Sequence, residues 1–264
     1  MNIIKRELRA NLISLLIWSG FTVIFIFLQV EEFSAYYNNP EMVAIIDAMP
    51  QALLDAFSLS GANLTTVNGY LSFLMIYFYI LLGLHAVLLG NSILTKEERD
   101  KTVEFLLTRP LSRKRMLTTK LLSAVILCMG LLVVTQLSNV ISLLQFEPDI
   151  TFYEYIGLTS IAMFLVQMIF LSIGFFMGSF IKRYKNSGAY AVYILFGMYF
   201  LSIIVGLSEK VDFLNYVSPF LYFEPRALLR DGNFEPIYLL LSGGIILMSL
   251  FCAYIFYPKR DLFI

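Results

Sequence analysis

Residues 70–94 read YLSFLMIYFYILLGLHAVLLGNSIL. The run holds no Asp, Glu, Lys or Arg. A bilayer core about 30 Å thick is crossed by about 20 apolar residues in a helix, so this stretch is long enough to span. Five runs of the same kind lie around it, at 12–30, 117–144, 155–181, 187–207 and 237–257. Those at 117–144 and 155–181 exceed the required length and are expected to tilt or to project from the bilayer. Backbone polar groups in lipid must be satisfied within the segment, which makes each run a helix. The alternating ten-residue strands of a barrel do not occur. The expected fold is therefore all-α and integral to a membrane, with six transmembrane helices in one domain over residues 1–264.

Composition agrees. Of 264 residues, 59% are hydrophobic and 14% charged, against roughly 25% charged in a soluble domain. Mean hydropathy is +0.77. A soluble fold of this length cannot bury so much apolar surface. The net charge is zero, so no overall field points to nucleic acid. Cys128 and Cys252 fall inside apolar runs and read as buried thiols. The first run has no small-residue cleavage site after it and is followed by Glu31 and Glu32, which reads as a retained span.

Charge placement orients the chain. Lys5, Arg6 and Arg9 precede the first span. Lys96, Arg99, Lys101, Arg109, Arg113, Lys114, Arg115 and Lys120 cluster between the second and third. Lys182, Arg183 and Lys185 follow the fourth, and Lys259 and Arg260 follow the sixth. Sixteen of the nineteen basic residues thus fall on one side. The positive-inside rule makes that side cytoplasmic. Six spans then place both termini there as well.

The opposite side carries two loops. In 31–69, Asn39-Pro40-Glu41 starts a helix with Asn as cap and Pro in the first turn. Met42, Ile45, Ile46, Met49, Leu53 and Phe57 recur at helical spacing, and Pro50 should kink or split the element. A pair of short helices is expected there, on the outer surface or capping the bundle. In 208–236, Pro219, Pro225 and Pro236 break the chain into short pieces.

Residues 95–115, TKEERDKTVEFLLTRPLSRKR, carry the functional signal. Thr95 with Glu98 fits a capping box. Residues 102–108 form a short amphipathic helix with an apolar stripe of Val103, Leu106 and Leu107. Arg109-Pro110 ends it, because a residue before proline leaves helical geometry. Ser112 can cap the next helix. A short helix with an apolar knob ringed by charge suits docking into a groove on a soluble partner. The same residues also fit a solvated basic loop that only sets topology, or a polybasic lipid contact.

The pattern Glu97-Glu98-Arg99-x-x-Thr102-x-Glu104-x-Leu106-Leu107-x-x-Pro110-x-Ser112-Arg113 resembles the cytoplasmic coupling segment of type-2 ATP-binding-cassette (ABC) transporter permeases. That family has Gly where Lys101 stands. Ser218-Pro219-Phe220 with Tyr222-Phe223-Glu224-Pro225 is similar to the family's outer segment before the last span, and Tyr257 to Leu262 to its C-terminal ending. The resemblance implies a multi-pass permease subunit of a bacterial cytoplasmic membrane, in most such cases an exporter. It implies a second permease subunit and two cytoplasmic ATPase subunits that bind ATP and Mg. It places Glu97, Glu98, Arg99, Thr102, Glu104, Leu106, Leu107, Arg109, Pro110, Ser112 and Arg113 at the ATPase contact, with residues 1–9 as a second contact. No Gly in the chain is followed by Lys, so the phosphate-binding loop of an ATPase is not here. The chain is expected to bind no cofactor or metal and to have no enzyme activity of its own. The residues point to no substrate site.

Within the spans, His85 is the only histidine. An intramembrane ionisable group is a functional candidate, but without acidic neighbours on its helix it reads as a neutral ring bonded to another helix. Gln136, Asn139 and Gln167 read as glue between helices. Gly174 and Gly178 form a GxxxG pair and are a candidate dimer face. A single histidine cannot supply a two-histidine metal site. A secondary transporter would show repeats or buried coupling charges in the spans. That class, and a non-transporting membrane anchor or immunity protein, are the alternatives to a permease.

Overall fold

The structure is a computed structural model. It describes residues 3–50, 54, 63–101, 112–181, 184–207 and 209–259. Among the described residues the α-helices are α1 (Ile3–Tyr36), α2 (Pro40–Asp47), α3 (Val67–Arg99), α4 (Arg113–Leu143), α5 (Ile150–Phe180), α6 (Tyr184–Gly206), α7 (Pro219–Tyr222), α8 (Pro225–Asp231) and α9 (Pro236–Lys259), with 3-10 helices at Leu144–Phe146 and Glu209–Tyr216. The six long ones, α1, α3, α4, α5, α6 and α9, are long and apolar enough to cross a membrane, as the six runs predict. Among the described residues no strand is present.

The helices outrun the apolar runs that announced them. At 34 residues, α1 is about 51 Å long at 1.5 Å per residue, well beyond a bilayer core. It therefore carries Lys5, Arg6 and Arg9 as helix rather than as a tail. α3 likewise runs on to Arg99. That extension removes the expected capping box: Thr95 lies inside the helix, and its hydroxyl donates to the carbonyl of Asn91 at 3.1 Å. A threonine hydroxyl can bond back four residues within a helix, so Thr95 does not need to end one. The helix start at Asn39-Pro40 is found, with the N–H of Glu41 donating to Asn39 Oδ1 at 3.1 Å. α2 stops before Pro50; the expected second half of that loop falls largely outside the described residues.

α3 and α5 form the centre of the bundle. A Cβ on Gly90 of α3 would overlap the carbonyl oxygen of Leu171, and one on Gly174 of α5 would overlap that of Val87. The two backbones meet at these glycines, with side-chain packing absent by construction. The Gly174–Gly178 pair is thus spent inside the subunit, and its use as a dimer face is corrected. α4 and α9 pack on α5, α6 packs on α3, and α1 lies mainly along α4. Outward faces are apolar: Ile17, Ile24 and Leu28 on α1, and Leu240, Leu247 and Phe251 on α9, are all exposed. Such faces in water would be an association hazard, and lipid removes it.

Gly174→Ala should destabilise the fold by roughly 1–3 kcal/mol through overpacking, despite about 1 kcal/mol of helix propensity gained from replacing Gly. Gly157→Ala is the control, because a Cβ there meets nothing within 4 Å. Thermal loss of the monodisperse peak in detergent reads the difference. Equal stability of the two variants would show that the close approach is not required.

The 208–236 segment departs from the sequence reading. It is broken at its prolines as expected, but it is not a free loop: it packs into the bundle. Ser218, Pro219, Phe220, Tyr222, Phe223 and Pro225 are buried. The Tyr79 hydroxyl of α3 donates to the Phe223 carbonyl at 2.9 Å, and that of Tyr155 of α5 to the Pro225 carbonyl at 3.0 Å. Ser218 Oγ donates to the Met198 carbonyl of α6 at 2.7 Å. Irregular backbone at such depth is tolerated only where protein satisfies it.

Candidate functional site

The end of the bundle where α1 begins and α9 stops also holds the basic loop, because side chains tie them together. Arg113 Nη1 donates to the Pro258 carbonyl of α9 at 2.9 Å. Ser112 caps α4 as predicted, its hydroxyl accepting from the Arg115 N–H at 3.3 Å. On the other flank, the Asp100 N–H closes α3 on the Lys96 carbonyl at 2.8 Å. Lys101 follows at φ 54°, a left-handed conformation that suits glycine. This is the position where the permease pattern has Gly, and here Lys makes the turn at some cost. Thr102, Glu104, Leu106, Leu107, Arg109 and Pro110, the centre of the expected coupling helix, lie outside the described residues.

Five charged residues on three helices meet just inside this loop. Glu7 of α1 is fully buried. Arg6 Nη2 reaches its Oε1 at 2.8 Å, and Lys96 Nζ of α3 pairs with its Oε2. Lys120 of α4, with no exposed surface, donates to both carboxylate oxygens of Glu97 at 2.6 Å and to the Ile93 carbonyl at 2.5 Å. Arg6 also stands 3.5 Å from Glu97, linking the two halves. Buried charges are tolerated only when paired and hydrogen-bonded, and in this cluster both oxygens of each carboxylate have a cationic partner. Two carboxylates and three cations converge where α1, α3 and α4 leave the apolar core.

The structure therefore divides the expected contact residues. Glu97 and Glu98 are buried and turned into the bundle. Arg99 is exposed and pairs with Asp100 at 3.0 Å. Ser112 and Arg113 hold the start of α4. Sequence reasoning missed Glu7, Lys96 and Lys120 as partners. The signal was Lys120, a charge three residues inside the apolar run 117–144, which demands a counter-charge wherever it is buried.

The polar residues of the spans act as glue. Gln136 Nε2 of α4 donates to Ser160 Oγ of α5 at 2.8 Å; Asn139 Nδ2 donates to Gln136 Oε1 on the same helix at 3.3 Å, so it supports that bond rather than bridging helices itself. Gln167 Nε2 of α5 donates to the Cys128 carbonyl at 3.3 Å. His85 differs from expectation. Its ring lies edge-on to Trp18 of α1, centroids 5.5 Å apart, and its Nδ1 has no hydrogen-bond partner among the described residues. A small cavity of about 100 Å³ opens between α3, α6 and the 220–226 turn, where Tyr77, Tyr199, Ser202 and Glu224 are among its lining. Among the described residues no three His, Cys, Asp or Glu side chains are grouped to hold a metal ion.

The sequence profile of one protein family, described as ABC-2 family transporter protein, matches residues 1–262. The comparison with curated proteins gave no match.

Proposed function

Since the chain belongs to the ABC-2 family of transporter proteins, we propose that it is the permease subunit of an ABC exporter, driven by ATPase subunits on a separate polypeptide. The observation that carries this reading is the family match over almost the whole chain, on a protein with six spanning-length helices. The lack of any Gly-Lys step in the sequence supports a separate ATPase, because the phosphate loop requires one. In this reading the end bearing residues 95–115 faces the cytoplasm, in accord with the sixteen basic residues on that side. The segment 102–108 docks into the ATPase through Leu106 and Leu107, with Glu104 and Arg109 beside them. A second permease subunit, identical or related, completes the pathway.

Purification in mild detergent from the native membrane tests the assignment. An ATPase with a phosphate loop should co-purify in stoichiometric amount, and the complex should hydrolyse ATP. A chain that purifies alone and transports under an ion gradient would be a secondary transporter instead. Orientation has its own test. In a Cys252→Ser background, Glu41→Cys and Asn233→Cys should react with an impermeant thiol reagent in intact cells. Lys114→Cys should react only after the membrane is opened. Labelling of Lys114→Cys in intact cells would invert the topology.

A further inference from the structure

The charged cluster sits at the root of the segment assigned above to ATPase docking, and its connectivity suggests a mechanical role. α1 packs along α4 and has few backbone approaches to α3. Near the basic end, the links between α1 and α3 are ionic: Glu7 to Lys96 and Arg6 to Glu97. Lys120 then ties Glu97, and so α3, to α4. Lys96 and Glu97 lie on the last turn of α3, a few residues before the chain enters 102–111, and Lys120 lies on the second turn after α4 begins. A push on the loop must therefore act on α3 and α4 at residues that are ion-paired to each other and to α1.

We propose that Glu7, Arg6, Lys96, Glu97 and Lys120 form a clasp that makes the N-terminal helix follow the loop when the ATPase changes state, so that α1, the outermost helix of this trio, moves with α3 and α4. The clasp is a positioning device and rests on the permease reading. Nothing in topology requires it: a basic loop that only fixes orientation needs freely exposed cations, whereas here Lys120 is fully buried and Arg6 and Lys96 are partly covered, each paired with a carboxylate. A purely stabilising core would be served by apolar side chains of similar volume. The paired charges hold three helices in one register instead, and register is the best-attested use of buried ion pairs.

The test uses the co-purified complex in nanodiscs, with spin labels on Arg9→Cys in α1 and Asp100→Cys after α3, both exposed positions. Distances are measured without nucleotide and after trapping with ATP, Mg and vanadate. In the otherwise native chain the α1–α3 distance distribution should be the same in both states. With Arg6→Gln, Glu7→Gln and Lys96→Met together, which removes both ionic links to α1 and leaves Glu97 paired with Lys120, the ATPase should still co-purify through the 102–108 contact, but the distribution should shift or broaden on trapping. Lys96→Arg keeps the charge and should behave as the native chain does. The clasp is wrong if the neutralised variant keeps the native distances on trapping, if the native pair itself separates, or if the neutralised variant loses the ATPase, which would make the pair a docking element. If no ATPase co-purifies with the native chain, the permease reading fails first and the clasp falls with it.

Discussion

The Leu106→Asp, Leu107→Asp double variant is expected to insert and accumulate as the native chain does, yet to lose its ATPase and all transport. The physical ground is the proposed docking of the two leucines in an ATPase groove, where burial would contribute roughly 1.5–3 kcal/mol each. Their joint loss, with two carboxylates forced toward that groove, lowers affinity at least about a hundredfold, since 1.4 kcal/mol is a factor of ten. The spans are untouched, so the six helices have no reason to change. Quantitative pull-down of the ATPase and a transport assay measure the two effects. Lys210, on the opposite side, provides the control: its charge reversal should leave association intact. Native affinity and native transport in the double variant would return this loop to a topology-setting role.

Lys120→Met should be the most damaging single change to stability. Lys120 is fully buried and satisfies both oxygens of Glu97. Removing it strands most of a buried negative charge, since Arg6 reaches Glu97 only at 3.5 Å. Breaking a buried pair on one side costs about 3–5 kcal/mol, whereas replacing both members by neutral groups is often close to neutral. The Glu97→Gln, Lys120→Met double variant should therefore recover most of what the single variant loses. The two mutations must be far from additive, as expected for partners in direct contact. Thermal loss of the monodisperse peak in detergent, compared across the cycle, checks this. Additive losses would mean that the charges do not interact in the folded protein.

The six spans were legible because lipid imposes one simple demand: about 20 apolar residues in a row. Helix ends were less legible. α1 and α3 continue as helix into charged residues beyond their apolar runs, and so Thr95 resembles a helix start although it lies in an interior turn. The ion pairs were hidden because their members lie 89 and 23 residues apart, from Glu7 to Lys96 and from Glu97 to Lys120. Local periodicity carries no information at such separations. The glycine pair at 174 and 178 announced a close helix contact correctly but not its partner, since sequence does not say whether a neighbouring helix belongs to the same chain. The 218–231 segment, with Ser218, Phe220, Tyr222, Phe223, Pro225 and Leu228 buried, looked like an outer loop because four- and seven-residue helices broken by prolines resemble one locally. Ser112, Asn39 and the glue residues Gln136 and Gln167 were readable because capping and interhelical bonding depend on residue type and nearby position; Asn139 bonds within its own helix.

The seat of the 218–231 segment sets an order of assembly. The carbonyls of Phe223 and Pro225 are met by hydroxyls carried on α3 and α5, and the oxygen that receives Ser218 belongs to α6. Until those three helices stand together, no such donors and acceptors are gathered in lipid, and the segment has nowhere to satisfy its backbone away from water. Its descent is conditional on a bundle already built from residues upstream. α9, which follows the segment, packs on α5 and touches α7. A membrane protein that could be read as six independent insertions therefore contains one element that must wait for the others.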